Sequence, residues 1–355
     1  MKILVINPGS TSTRVAVYED EKCIYSEKFE HSAEELAKCE TLMDQEPLRR
    51  RSILSSLEKA GFRIEDFDAI AARGGILPPV ESGTYLVDER MVNYLKYESP
   101  VKHVSNLACV IAYELSNGRI PVYTTDPVSV DEMIPEARLS GIPEIERKSL
   151  SHALNIKIVC RKVAKELGKS LEELNAVVAH LGGGISVAAV REGRIIDVNN
   201  ANDEGPFSPE RTGELPVGDV ARMCFSGKYS REELKKKFVG RGGLVAYLGT
   251  NDLRKALEMA KNDSYASLVV RAMAYQIAKE IGGMCAVLKG KLDAIILTGG
   301  MARSNEFVEM IREYIYKFAP IFVLPGEFEM EALALGALRV LRGEEKAKVW
   351  GGPNG

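Results

Sequence analysis

No stretch of this chain approaches the roughly 20 consecutive apolar residues that a membrane-spanning helix requires. Cysteine is sparse and scattered: Cys23, Cys39, Cys109, Cys160, Cys224 and Cys285 form no C-x-x-C pair and no Cys/His cluster. That spacing speaks against a metal–thiolate site, and nothing in it calls for an oxidising compartment. Neither sign of charge is in excess, since 47 Lys and Arg stand against 50 Asp and Glu. A nucleic-acid binder would carry a basic surplus or stripe. Lys235-Lys236-Lys237 is a compact basic run, and it reads as a solvated helix face. The chain enters an apolar run by its third residue with no secretory-signal pattern before it, so a cytoplasmic location is expected. A low-complexity linker is also lacking.

Glycine and hydroxyl residues are abundant at the ends of apolar runs, and two such stretches read almost alike. Ile3–Ile6 runs into Asn7-Pro8-Gly9-Ser10-Thr11-Ser12-Thr13, after which Arg14–Tyr18 forms a second strand pattern. Ala176–Ala179 runs into His180-Leu181-Gly182-Gly183-Gly184-Ile185-Ser186, followed by Val187–Val190. Each reads as a β-hairpin whose turn lets backbone N–H groups and hydroxyls converge on an anion such as phosphate. A repeated phosphate hairpin implies two related domains holding one nucleotide between them, and hence a phosphotransferase.

Further strand patterns occur at Ala69–Ala72, Tyr85–Val87, Val122–Thr124, Ile195–Val198, Ala294–Leu297 and Ile321–Leu324. Helical patterns occupy Glu34–Gln45, Glu46–Ala60, Val104–Ser116, Ala153–Leu167, Tyr265–Leu288, Glu306–Phe318 and Glu331–Leu341. Strands alternating with helices predict an α/β fold with mixed sheets. The second hairpin begins a second domain, and the last helix follows the last strand and can return to the first. The division expected is residues 1–150 plus 327–355, and 151–326. The Gly-rich tail Val349–Gly355 is expected to be mobile.

Other candidate site residues sit at strand ends or in loops that exclude regular structure. Leu297-Thr298-Gly299-Gly300 follows a buried strand and precedes a helix, where open α/β sheets bind ligands. Gly205 to Gly213 is a rigid loop of Pro and Gly that offers Arg211. Arg73-Gly74-Gly75 and Asp126 follow strands, and Asp126, placed before Pro127, is equally suited to capping a turn.

V-I-N-P-G-S-T-S-T-R, V-A-H-L-G-G-G-I-S, F-S-P-E-R-T-G, G-T-N-D-L-R and L-T-G-G-M-A occur in that order. As a set they resemble the acetokinase family of acyl-phosphate kinases, from Lys2 to about Gly343. The resemblance implies two ribonuclease-H-like (actin-like) domains with mixed sheets flanked by helices. It also implies ATP with Mg²⁺, and reversible transfer of a phosphoryl group to a short-chain carboxylate. By position, Asn7, Ser10, Ser12 and Arg14 correspond to the phosphate and magnesium hairpin. His180, with Gly182, Gly183 and Gly184, corresponds to the histidine and turn that touch the phosphoryl in flight. Arg211 corresponds to the arginine that steadies it, and Asp126 to the acidic residue at the reaction centre. Asn251, Asp252 and Arg254 correspond to a nucleotide-side loop, Gly299 and Gly300 to the adenosine turn, and Glu329 to the magnesium-associated glutamate. A homodimer or higher oligomer is implied as well.

Two departures stand out. Acetate kinases carry H-R-x-V-H-G-G where this chain has Ala69-Ile70-Ala71-Ala72-Arg73-Gly74-Gly75, so the arginine has moved three positions. Ala72 replaces a valine, and a smaller wall suits butyrate better than acetate, at roughly 0.8 kcal/mol per buried CH₂. Acetate, propionate, isobutyrate and branched-chain acids are alternatives, with a sugar kinase or a non-enzymatic actin-like nucleotide binder as more distant ones. The H-G-T-S-H stretch of acetate kinases is replaced by Ser151-His152-Ala153-Leu154-Asn155, which leaves His152 a weak candidate. A carboxylic acid is already ionised at neutral pH. Direct in-line transfer therefore needs cations and donors rather than a base.

Overall fold

In the computed structural model, which describes residues 1–353, the strands in chain order are β1 (Lys2–Pro8), β2 (Ser12–Glu19), β3 (Lys22–Glu30), β4 (Ala69–Ala72), β5 (Thr84–Leu86), β6 (Val122–Thr125), β7 (Ala176–Leu181), β8 (Ile185–Arg191), β9 (Arg194–Val198), β10 (Ala294–Gly299), β11 (Ile321–Pro325) and β12 (Lys348–Val349). The chain divides into two units: residues 1–130 with the segment from Phe328 onward, and Asp131–Glu327. Each holds one mixed sheet flanked by helices, the α/β arrangement that the alternation of patterns predicts.

The first sheet has the order β12-β5-β6-β4-β1-β2-β3, with β1, β2 and β3 antiparallel in succession and β4 parallel to β1. The second has the order β11-β10-β7-β8-β9, with β7, β8 and β9 antiparallel in succession and β10 parallel to β7. The same plan is built twice, down to a register shift between the second and third strands, at Val17/Tyr18 and at Ala189/Val190. Similar hairpin sequences therefore sit at equivalent places in two similar sheets.

The local reasons are plain. Ile3–Ile6 and Ala176–Ala179 are wholly buried, so these strands are apolar at every position rather than at alternate ones. The helices Asn106–Ser116 and Glu329–Leu341 pack on β1, β4 and β6. The helix Ser264–Val287 packs on β7, β8 and β9 through an apolar stripe that includes Val270, Met273, Ile277 and Ile281. Ala153–Glu166 packs on β7 and β10.

Three features differ from the sequence reading. The pattern Glu34–Gln45 is not one helix: Ala33–Ala37 forms a single capped turn, and a short 3-10 turn covers Met43–Gln45. The break has a local cause, because Asp44 accepts hydrogen bonds from the Thr41 amide and hydroxyl at 2.7 and 2.9 Å and holds a turn there. Strand β3 (KCIYSEKFE) was not legible, being a largely exposed edge strand defended by Lys and Glu. The tail is anchored where it is described: β12 pairs with β5, and Trp350 is buried with its ring 4.9 Å from that of Tyr94. The end of the expected mobile segment, Asn354 and Gly355, lies outside the described residues.

Candidate active site

In the first unit, β1 and β4 run parallel with Ile6 beside Ala72. The next residue of each strand, Asn7 and Arg73, therefore emerges at the same carboxyl edge. Glu329 comes to them from the first turn of the last long helix, where a carboxylate is favoured by the helix dipole. Its Oε2 accepts from Asn7 Nδ2 at 2.8 Å and from Arg73 Nη1 at 2.8 Å, while Arg73 Nη1 also reaches Asn7 Oδ1 at 3.4 Å. Three of the expected residues thus form one polar cluster. The arginine three positions along from its place in acetate kinases still reaches it. Ala72 itself has no exposed surface.

The turn that carries Ser10 and Ser12 closes with the Gly9 amide donating to the Ser12 carbonyl at 2.8 Å. Ser10 is exposed, Ser12 is half-buried and Arg14 is exposed on β2. A residue that the sequence reading missed shapes this turn. Arg49 has no exposed surface, and its guanidinium donates to the carbonyls of Gly9, Ser10 and Ser12 and to Thr13 Oγ1, at 2.7 to 3.1 Å. With those carbonyls turned inward, the rim of the turn is left to N–H groups and hydroxyls. The signal was available: Arg49, Ile53 and Leu57 recur every four residues along the buried face of one helix. It was obscured by the run Arg49-Arg50-Arg51, which looks like a solvated face.

Asp126 is buried at a left-handed φ of 41°. Its Oδ1 accepts from Ser82 Oγ at 2.6 Å and the Gly83 amide at 2.8 Å, while its own amide donates to the Gly83 carbonyl at 3.1 Å. The turn-capping alternative is therefore realised on one oxygen; Oδ2 has no partner among the described residues.

In the second unit, His180 lies near the end of β7, beside Thr298 of β10 and Ser186 of β8. It is buried, with 3% of its surface exposed. Burial alone pushes its pKa down to about 4, so the ring is neutral at pH 7. His152 stacks on it with ring centres 3.9 Å apart, and Asn155 Nδ2 donates to its Nδ1 at 2.9 Å. Thus the stretch Ser151–Asn155, which carried only the weak candidate His152, supplies two neighbours of His180. Asn155 had no signal in the sequence.

Arg211 reaches the same turn from the Gly205–Gly213 loop. Its guanidinium lies against Gly184 so closely that any side chain there would displace it. Its Nη1 donates to the Ala201 carbonyl at 2.9 Å. Burial opposes the charge of Arg211, and Glu210 and Asp203 support it. Ser208 Oγ donates to the Gly183 carbonyl at 2.6 Å and pins the loop to the turn. His180, the glycine triplet and Arg211 therefore occupy one place, although the loop gave no hint of which way it folds.

Gly299 has φ 90° and lies against the Leu181 carbonyl, so only glycine fits where β10 meets the end of β7. Gly300, beside it, is exposed. The Asn251–Arg254 segment is engaged locally: Asn251 Nδ2 donates to Glu210 Oε1 at 2.5 Å, and Asp252 accepts from the Arg254 amide at 2.9 Å to cap a helix. The Arg254 guanidinium beside Asp252 pulls that carboxyl down to about 2.

Residues 138–324 match the acetokinase family. The chain is 66% identical over 348 residues to a protein of Thermotoga petrophila named probable butyrate kinase, covering 98% of each chain. It is 65% identical over 347 residues to probable butyrate kinase 1 of Thermotoga maritima, covering 98% of this chain and 97% of that one. Among solved structures, acetate kinase from Porphyromonas gingivalis matches it with a TM-score of 0.81 at 18% identity, covering 96% of this chain and 99% of that one. At that identity the likeness speaks for fold, which is the actin-like ATPase fold. Full-length similarity, the family match and the two polar clusters agree, and the chain belongs to the acetokinase family, phosphotransferases with a carboxylate as acceptor.

Proposed function

We propose that this protein transfers the γ-phosphoryl group of ATP to the carboxylate of a short-chain acid, butyrate before its shorter and branched neighbours, giving acyl phosphate and ADP, and runs the reverse reaction as well. The observation that carries this reading is the meeting of Arg211 and a neutral His180 at the glycine turn of β7 and β8. An ionised acid is a nucleophile without further activation. The difficulty is repulsion between two anions, and a turn lined by amides, a guanidinium and a ring N–H lowers it. The second unit is read as the nucleotide side, with Gly299, Gly300 and the Asn251–Arg254 segment near the adenosine. The first unit is read as the acyl side, where Arg73 faces the substrate carboxylate and the Gly9–Ser12 turn faces phosphate. Asp126, with one oxygen committed to its turn, orients groups through the other.

The residues for Mg²⁺ are Asn7 and Glu329. Among the described residues no group of three or more His, Cys, Asp or Glu stands together to hold a metal. Glu329 Oε2 is taken by Asn7 and Arg73, and Asn7 Oδ1 is reached by Arg73 Nη1 at 3.4 Å, which leaves one carboxylate oxygen and the second lone pair of the amide oxygen. That set suits an ion that keeps most of its waters and arrives with nucleotide phosphates, not a caged one. Such an ion supplies charge neutralisation on the phosphates when bound.

The test is acyl-phosphate capture with hydroxylamine across straight and branched C2 to C6 acids, with sugars as a control. Highest kcat/KM on butyrate supports the reading in full, and highest kcat/KM on another acid corrects the substrate. Turnover confined to a sugar, or ATP-dependent polymerisation in sedimentation without any turnover, overturns it.

A further inference from the structure

Which ring nitrogen of His180 holds the proton decides what this residue can offer a phosphoryl oxygen. With the proton on Nε2, that nitrogen donates. With the proton on Nδ1, Nε2 presents a lone pair that repels the anion. Nε2 is the nitrogen that faces the glycine turn: a Cβ built on Gly182 would lie 3.2 Å from it. Nδ1 faces the other way, 2.9 Å from the side-chain amide of Asn155.

The orientation of that amide follows from a third residue. Asn155 Nδ2 also lies 3.2 Å from Thr298 Oγ1, and the Thr298 hydroxyl points its proton toward the Gly326 carbonyl at 3.4 Å. The hydroxyl oxygen is then an acceptor toward Asn155, so the NH₂ group and not the carbonyl oxygen faces both Thr298 and His180. An NH₂ group can only donate, so Nδ1 of His180 must accept. All three side chains are buried. Around the ring stand Asn155 and His152, Thr298 on β10, Ser186 on β8, and at the turn Arg211 and Glu210.

We propose that Asn155 is a positioning residue that holds His180 as the neutral Nε2–H tautomer, so that His180 meets the phosphoryl group as an uncharged hydrogen-bond donor. The tautomer assignment stands on geometry alone; the donor role rests on the function proposed above. The lowered pKa of His180 agrees with both.

Long-range ¹H–¹⁵N correlation on the full chain with ring-labelled histidine reads the tautomer directly, with the His180 signals assigned by their loss in His180→Gln. The expected result at pH 7 is an unprotonated Nδ1 and a protonated Nε2, unchanged down to about pH 5. A proton on Nδ1, or an imidazolium above pH 6, overturns the proposal. In Asn155→Asp a carboxylate accepts from Nδ1–H, so the tautomer should flip, the His180 pKa should rise, and kcat should fall by about 10² with KM for ATP little changed. A flipped tautomer with unaltered kcat overturns the donor role, and with it the catalytic reading of His180, while the tautomer of the unaltered protein stands on its own spectrum.

Discussion

Arg73 and Glu329 are 256 residues apart in the chain, yet Nη1 of the arginine lies 2.8 Å from Oε2 of the glutamate. The contact fastens the first turn of the last long helix to the end of β4. Asn7 shares the same oxygen, so any change in that carboxylate is felt by both partners.

Glu329→Gln tests this cluster. The Arg73–Glu329 pair is partly exposed, at 35% and 20%, and a pair of that kind contributes about 1 kcal/mol or less to stability. Urea denaturation should therefore show a loss of at most about 1 kcal/mol. Turnover should fall by tenfold or more, on the order of what loss of an oriented charged group costs. Unchanged kcat and KM for ATP, acid and Mg²⁺ would remove Glu329 from the site.

Arg49→Met separates architecture from chemistry. The substitution fills similar volume but leaves the carbonyls of Gly9 and Ser10 without their buried donor, while the Ser12 carbonyl keeps the Gly9 amide and the Thr13 hydroxyl keeps His31. Each buried polar group left unpaired costs about 1–3 kcal/mol, and a loss of about 3 kcal/mol or more is expected by equilibrium unfolding. Because the turn also loses its shape, KM for ATP should rise in whatever fraction stays folded. Unaltered stability would show that water replaces the guanidinium freely.

Stability should fall as the solution is made acid, and His180 sets part of the window. Its folded-state pKa of about 4 lies below the ordinary 6.5 because the ring is buried. The folded state therefore binds the proton less readily than the unfolded chain. The stabilisation is complete above pH 6.5 and is lost progressively as pH falls toward 4, amounting to about 3 kcal/mol at roughly 1.4 kcal/mol per unit. His31 and His103 are also lowered by burial and add in the same direction. Urea midpoints measured from pH 8 to 4 should show the decline, and His180→Gln should flatten it. An equal slope in both proteins would place the effect elsewhere.

Arg211→Ala addresses the transfer step. Losing one charge-assisted donor at a developing anion lowers kcat by about 10² or more. Gly184 loses its packed neighbour but no hydrogen bond, and the Ala201 carbonyl loses one, so folding should survive. Circular dichroism with steady-state kinetics decides: normal turnover in a folded variant takes Arg211 out of the mechanism.

The parts that were readable in the sequence share one property. β1 and β7 were legible because burial on both faces demands an unbroken apolar run, and the helices Glu46–Lys59 and Ser264–Val287 because one buried stripe leaves a period near 3.6. β3 was hidden because an exposed edge strand has no such demand, and Glu34–Gln45 misled because a single side chain, Asp44, outweighed the helical pattern. His180 and Arg211 were each legible from glycine-rich surroundings, whereas the presence of both at one turn was not. Arg49 and Asn155 were missed because a buried polar residue looks like any other until its partners are known.

By itself the sequence determined the repeated hairpins, the α/β alternation and the ordered motifs that place the chain in its family. These depend on local sterics, burial period and residue order, all properties of neighbours along the chain. Only the tertiary structure decided that Arg49 is a buried brace, that one carboxylate oxygen of Glu329 serves both Asn7 and Arg73, and that His180 is neutral. Those outcomes depend on desolvation and on partners that meet only after folding, and no spacing along the chain encodes them.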